Sequence, residues 1–168
     1  MTCKTRVARF GRSRRRSDRS GATLIEFAIV GPTLFLLLFG FLILTLGVYR
    51  YQQVAYLARH GARYASTHGA QYRADNRLPS GDTATWIEDI RTNGVLPRSS
   101  GLVPDLVTVD ADWSSGDNTS NTDSGKTGDF NKVVQNTVTV TVTYTWLPEA
   151  YLAGPISLSS NATVAMSY

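Results

Sequence analysis

The longest apolar pattern in the chain is a run without charged residues from Phe27 to Tyr49, 23 positions in all. At about 1.5 Å per residue, a helix of this length rises about 34 Å, which is enough to cross a hydrocarbon core of about 30 Å. Pro32 lies within the run, and membrane helices tolerate a proline better than soluble helices do. The pattern predicts a transmembrane helix over residues 22–49.

After Tyr49 the apolar positions keep a helical period but alternate with polar ones. The apolar side chains that recur at spacings of three or four residues are Tyr51, Val54, Ala58, Ala62 and Ala65. This spacing places them on one face of a helix. We therefore predict an amphipathic stem helix over residues 50–68, whose apolar face covers a sheet.

Residues 69–168 carry the pattern of a small folded domain. The segments 68–70 and 78–81 predict a loop, and Asp82 is a suitable N-cap for a short helix that runs through Asn93 and is closed by Gly94. The apolar positions that predict its buried stripe are Trp86, Ile87 and Ile90.

Three later segments, 103–113, 134–146 and 156–168, alternate apolar and polar positions with a period of two. Such alternation predicts strands with one buried and one wet face, as in an antiparallel sheet. The segment Ser114–Asn131, rich in Gly, Ser, Thr, Asn and Asp, is predicted to be a flexible, solvated loop. Because the apolar face of a single sheet must be covered, we predict an α+β fold in which the long N-terminal helix packs on a small antiparallel sheet.

Charge is concentrated before the apolar run. Residues 1–19 hold eight basic residues and one acidic residue, a net charge of +7, whereas the rest of the chain has a net charge of −3. Six arginines lie within 7–26 and three within 50–69. The positive-inside rule therefore predicts a cytoplasmic N-terminus and an extracytoplasmic C-terminal domain. A basic leader also suits nucleic-acid binding, but topology accounts for it and we expect no nucleic-acid partner.

The apolar run is predicted to stay in the protein as an anchor. It is longer than the apolar core of a secretory signal, about 7–15 residues, and no small-x-small pair follows it. The single cysteine, Cys3, lies in the leader, so the predicted domain contains no disulfide.

The start of the run has a distinctive order, since Gly21 is followed by four small or apolar residues and then by Glu26. A carboxylate at the edge of a membrane helix is costly without a partner, but in the first helical turn it favours the helix dipole. We expect Glu26 in that first turn. Glycine followed at this spacing by glutamate is the pattern that prepilin peptidases recognise, with Ala22 first and Glu26 fifth in the mature chain.

Three features, taken in order and spacing, carry a resemblance to a known family. They are Gly21–Pro32 (GATLIEFAIVGP), the Leu/Phe-rich run after Pro32, and Tyr51–Ser66 (YQQVAYLARHGARYAS). With them the chain resembles the TadE-like family of tight-adherence (Flp-type) pilus assembly proteins, which are small pseudopilin-like proteins of bacterial envelopes. His60 stands where the family more commonly has glutamate. The resemblance covers residues 21–66 and does not extend by motif into the C-terminal domain.

The resemblance implies a membrane-anchored pseudopilin or minor pilin, with a pilin-like fold, that takes part in assembly of a tight-adherence pilus. It implies that a prepilin peptidase removes the leader, residues 1–21, at a processing site formed by Gly21, Ala22 and Glu26. The residues it implies as subunit or assembly contacts are Glu26, Phe27, Pro32, Arg59, Gly61 and Arg63. The implied location is the bacterial inner membrane, with other pilus and pseudopilin subunits as partners; entry into the pilus itself is left open.

Catalytic and cofactor motifs are not found. The sequence has no P-loop, GxGxxG or nucleophile motif, and His60 and His68 lie eight residues apart without a matching Cys or acidic cluster. The oxygen-bearing side chains Asp117, Asn121, Asp123 and Asp129 lack the glycine and final glutamate of an EF-hand. We expect no enzyme activity, no metal, no cofactor and no small-molecule substrate. The alternative function is a single-pass, envelope-anchored binding domain that is not linked to a pilus.

Overall fold

The computed structural model describes residues 20–78, 81–116, 118, 122–127, 133–148 and 154–167. Most of the predicted leader therefore lies outside the described residues. The helices are α1 (Ser20–Thr67), α2 (Ala70–Asp75) and α3 (Thr83–Asp89), and the strands are β1 (Val107–Trp113), β2 (Thr122–Thr127), β3 (Val133–Gln135), β4 (Thr137–Trp146) and β5 (Ile156–Ala165). The chain divides into two compact units, one up to Gly40 and one from Phe41 onward.

The described part of the first unit is helical and belongs to α1. Its large apolar side chains, from Leu24 to Phe39, are exposed. Pro32 lies inside the helix, which continues through it, and the next residue, Thr33, donates a hydrogen bond from its hydroxyl to the Ile29 carbonyl (3.1 Å). Among the described helices, α1 is the one long and apolar enough to cross a membrane, by length and composition alone.

In the second unit, the remainder of α1 packs against a three-stranded antiparallel sheet with the strand order β1–β4–β5. This confirms the predicted α+β, pilin-like arrangement. Two glycines of α1 bring the helix close to β4: Gly47 lies against the ring of Trp146, and Gly61 lies against Val140. Because Trp146 ends β4 and Val140 lies near its start, the helix runs antiparallel to β4.

The predicted apolar face of the stem is confirmed at four of its five positions. Val54, Ala58, Ala62 and Ala65 are buried in the core. The prediction for Tyr51 is wrong, because 49% of its surface is exposed. Helical spacing defines a direction around the axis but does not say where along the helix the sheet provides cover.

Strand β4 buries the face that its alternation predicted. The residues of this face are Val138, Val140, Val142, Tyr144 and Trp146. Threonines line its other face, and they lie beside polar side chains on the same face of β5. There the hydroxyls of Thr139 and Thr163 share a hydrogen bond (2.8 Å). Alternation of this kind is reliable in a central strand because neighbours on both sides hold its pleat in register.

The predicted second strand is interrupted at Asn136, which is fully buried. Its side-chain oxygen accepts hydrogen bonds from the Ser114 hydroxyl and the Ser115 amide, both 3.1 Å away. The interruption separates β3 from β4, and β3 pairs with β2 in a second, two-stranded antiparallel sheet. The loop prediction for Ser114–Asn131 is therefore wrong over residues 122–127, which form β2.

Other element ends also differ from the predictions. The predicted loop between the stem and residue 81 contains α2. The predicted short helix leaves regular α geometry at Asp89 and continues as a π-helical turn, Ile90–Val95, so Gly94 does not close it. A Cβ on Gly94 would lie 3.0 Å from Tyr64, which shows that this glycine serves close packing. Strand β1 starts at Val107, because Pro104–Leu106 forms a 3-10 turn.

Candidate subunit interface

The first predicted interface element is the start of α1. Gly21 and Ala22 both lie inside the helix, and a Cβ on Gly21 would have no atom within 4 Å. Glu26 is exposed and belongs to neither ion pair found among the described residues. The helix begins at Ser20, so its first turn holds no acidic residue, and the prediction that Glu26 lies in that turn is wrong. Its carboxylate instead stands one turn further along, on an otherwise apolar surface.

Phe27 and Pro32 occupy the same exposed stretch of helix. The Phe27 ring packs on its own helix at Gly31, where a Cβ would lie 3.7 Å from the ring. Pro32 is exposed and contributes no backbone N–H. A helix that is apolar and exposed around its circumference is stable in lipid or among other helices, but not alone in water. This surface can therefore receive partner helices or acyl chains.

The second predicted element, on the stem, divides between two faces. Arg59 and Arg63 are exposed and point away from the sheet, and neither takes part in the ion pairs of the described residues. Gly61 is buried instead, and a Cβ there would lie 3.0 Å from Val95 and 3.1 Å from Val140. The two arginines thus share an outer surface with the tilted Tyr56–His60 ring pair, whereas Gly61 packs inside the domain.

Sequence reasoning missed a polar attachment between the stem and the segment before β1. Arg50 donates to the Gly101 carbonyl, and Gln53 donates to the carbonyl of Ser100 (3.0 Å) and to the Tyr49 hydroxyl (3.1 Å). A groove of about 280 Å³ lies beside these contacts, lined among others by Tyr56, Leu57 and Arg98. The partners are some fifty residues apart in the chain, and the one available signal was that Arg50 and Gln53 fall outside the predicted apolar face.

A second missed feature is a partly buried ion pair that joins α2 to α3. Arg73, which is buried, donates to the Asp89 carboxylate (2.9 Å). The Tyr64 hydroxyl lies 3.5 Å from the same carboxylate. Burial raises the pKa of Tyr64, and the negative charge of Asp89 adds to this effect. Such a network stabilises the domain, and its hydrogen bonds hold both α2 and α3 near the end of the stem.

The start of α3 confirms the predicted N-cap. Asp82 accepts hydrogen bonds from the Thr85 amide (2.9 Å) and the Thr85 hydroxyl (2.7 Å). These two bonds, the amide first, lower the pKa of the exposed Asp82 carboxyl below its ordinary value. The cap satisfies one of the free N–H groups that every helix start leaves.

Among the described residues, no three His, Cys, Asp or Glu side chains lie close enough together to hold a metal ion. The His60 ring lies against Tyr56, and the His68 ring stacks on Tyr64 with centroids 3.9 Å apart. Asp117, Asn121 and Asp129 fall outside the described residues.

The helix-and-sheet geometry defines an α+β protein of pilin-like arrangement with one N-terminal apolar helix. Residues 21–63 match the family model described as TadE-like protein. The resemblance read from the sequence is thereby confirmed, and this N-terminal segment of the chain is TadE-like. That family is structural, belongs to pilus assembly, and is not enzymatic. Comparisons with curated proteins and with solved structures return no match.

Proposed function

We propose that this protein is a membrane-anchored pseudopilin or minor pilin that takes part in the assembly of a tight-adherence pilus. The observation that carries the proposal is the TadE-like match over residues 21–63, which contains both the start of the apolar helix and the stem. The pilin-like arrangement of helix and sheet supports it, although a fold alone does not define a function.

The anchor and its orientation are the first part of the proposal. The length and apolar surface of α1 support a single span in the bacterial inner membrane. The excess of arginine before the span supports a cytoplasmic N-terminus and an extracytoplasmic domain. The chain then presents its folded domain on the side of the membrane where a pilus grows.

Processing is the second part. A prepilin peptidase would cut between Gly21 and Ala22 and remove the basic leader. This cut leaves a new amine four residues before Glu26 in a segment of helix without other charged groups. In lipid, an unpaired carboxylate is costly, so the amine of a neighbouring subunit is a favourable partner for Glu26. Phe27 and Pro32, exposed on the same segment, would pack against that neighbour.

The stem supplies the third part. Arg59 and Arg63 offer two exposed guanidinium groups, which suit carboxylates or carbonyl groups of a second subunit. Gly61 supports this surface indirectly, because it lets α1 approach Val140 and Val95 and so holds the two arginines outward.

The test is the substitution Glu26→Ala, expressed in a host that lacks the native copy and contains the matching peptidase. We expect loss of pili with an unchanged amount of protein in the membrane fraction. Mass spectrometry of the N-terminus then distinguishes a failed cut, which leaves the leader in place, from a lost assembly contact, which leaves a mature N-terminus at Ala22. The matched control is Glu88→Ala, which removes an exposed carboxylate from α3 and leaves piliation unchanged.

Normal piliation with Glu26→Ala would contradict the assembly role and favour the envelope-anchored binding domain. An intact leader in the unsubstituted protein would contradict the processing step and the pairing of Glu26 with a neighbouring amine, and would leave the membrane anchor untouched.

A further inference from the structure

One end of the sheet, where β4 ends and β5 begins, lies beside a defined turn of helix α1. The ring of Trp146, the last residue of β4, fills the space beside Gly47, where a Cβ would lie 2.9 Å from the ring. Ile156, the first residue of β5, is the register partner of Trp146, and Leu147 follows Trp146 directly. Leu147 and Ile156 therefore lie at the level of the helical turn that contains Gly47.

At this level the helix surface is still apolar. Leu44, Leu46 and Val48 are exposed, and the first charged residue beyond them is Arg50. The same level of the sheet is also apolar and exposed: Leu147 is 52% exposed and Ile156 is 39% exposed. Two sides of one compact unit at the same height lie in the same medium, so lipid that covers Leu44 and Val48 also reaches Leu147 and Ile156.

The length of the helix places this level at the membrane interface. A span that begins at Thr23 reaches about 30 Å after 20 residues, at Leu42, which is the thickness of a hydrocarbon core. Ile43 is the first residue of α1 that packs against the core of the domain. The turn around Gly47 then stands where hydrocarbon gives way to head groups. The exposed rings of Tyr49 and Tyr51 suit this boundary, where tyrosine is enriched.

We propose that the base of the domain, formed by Leu44, Val48, Leu147 and Ile156, is a lipid-docking surface. Its partner is the boundary between head groups and acyl chains of the membrane that α1 crosses. The inference rests on the membrane anchoring in the proposed function and goes beyond it. It gives the folded domain its own contact with lipid.

The experiment uses the full chain in vesicles of phosphatidylethanolamine and phosphatidylglycerol. Cys3→Ser removes the native thiol, and a nitroxide is attached at one new cysteine: Leu147→Cys, Leu36→Cys or Asp112→Cys. Collisions of the nitroxide with oxygen, which enters lipid, and with a nickel chelate, which stays in water, report its depth. Asp112 is the distant control, because its partner Thr139 lies seven residues from Trp146, about 23 Å along β4.

We expect the ratio of oxygen to nickel collisions at position 147 to be several-fold higher than at position 112 and lower than at position 36. A ratio at position 147 equal to that at position 112, with position 36 in lipid, would overturn lipid docking and leave the anchor intact. A water-like ratio at position 36 would overturn the anchor and the inference together. Low collisions with both reagents at position 147 would mean that protein covers the base, which also contradicts the inference.

Ile156→Cys repeats the measurement from a second element. If the label at position 147 disturbs the fold, seen as a changed circular dichroism spectrum, the label at position 156 decides the question by the same criteria.

Discussion

The two compact units of the chain place the same kinds of side chain in opposite surroundings. Up to Gly40, the large apolar residues are exposed, as Leu36 is at 74%. In the second unit, the core-facing residues of α1 from Val54 onward are buried, and Leu57 is 1% exposed. Both belong to one uninterrupted helix, α1. The buried apolar residues of the second unit are therefore covered within the chain, whereas those of the first unit, like Leu44 and Val48 at the base of the domain, require cover from outside it.

This difference separates two kinds of functional consequence. A change in the first unit acts on whatever covers it, which in our proposal is lipid and neighbouring subunits. A change at a buried position of the second unit acts first on the free energy of unfolding of the domain. Matched substitutions in the two units test this separation directly.

The largest expected effect comes from leucine truncation. Leu57→Ala leaves a cavity in the hydrophobic core of the domain, and we expect it to lower the free energy of unfolding by about 2–5 kcal/mol. The measurement is denaturant unfolding of the full chain in detergent micelles, followed by tryptophan fluorescence. Leu36→Ala, the same change on an exposed site, should leave the free energy within about 0.5 kcal/mol. Equal losses for the two substitutions would remove the distinction between the units.

A smaller effect is expected when a methyl group is added to a glycine of α1. Gly61→Ala places a Cβ 3.0 Å from Val95 and 3.1 Å from Val140, and the resulting overpacking should cost about 1–3 kcal/mol. Gly40→Ala is the control, because its Cβ meets no atom within 4 Å. Thermal unfolding of the domain should shift for the first substitution only. An unshifted transition for Gly61→Ala would show that the sheet moves away without loss of stability.

The smallest effect concerns the ends of helices and depends on pH. The lowered pKa of Asp82 means that the folded state favours its carboxylate, so its contribution is present above the unfolded pKa and is lost as pH falls through the folded pKa. Asp82→Asn keeps a capping oxygen without the charge. We expect the stability difference between the two proteins to shrink as pH falls from about 5 to about 3.

Denaturant midpoints at each pH give this difference, because the other carboxyl groups titrate alike in both proteins. A difference that does not change with pH would contradict a contribution from the Asp82 charge. The start of α1, which has no acidic residue in its first turn, offers no equivalent site.

Periodicity predicted the elements whose surroundings are uniform along their length. The inner face of β4 follows from a strict alternation of two, and the buried stem face follows from small and apolar residues at helical spacing. Both signals are local, because each residue's environment repeats that of its neighbours on the same face.

The elements that were missed depend on contacts between distant parts of the chain. The interruption at Asn136 is stabilised by Ser114 and Ser115, and β2 is a strand because β3 pairs with it. The sequence pattern predicts a helix end at Gly94, but the absence of a side chain there makes room for the side chain of Tyr64. No pattern within a short window contains these partners.

The candidate interface, like the fold, was predictable only in part. The motif drew attention to Glu26, Arg59 and Arg63, all of which are exposed. It did not distinguish them from Gly61, which is buried, because a motif records residue order and not direction. The prediction that Glu26 lies in the first turn of its helix was wrong, because sequence periodicity defines a helix start poorly.

The packing of the Trp146 ring against Gly47 has a practical consequence for isolating the domain. A fragment that begins at Arg50 would lack both Gly47 and Ile43, and the indole of Trp146 would lose its cover on the helix side. A large aromatic face uncovered in this way promotes self-association in water. A fragment that begins at Phe41 keeps the contact between Trp146 and Gly47. It also keeps several exposed apolar residues, which a mild detergent can shield.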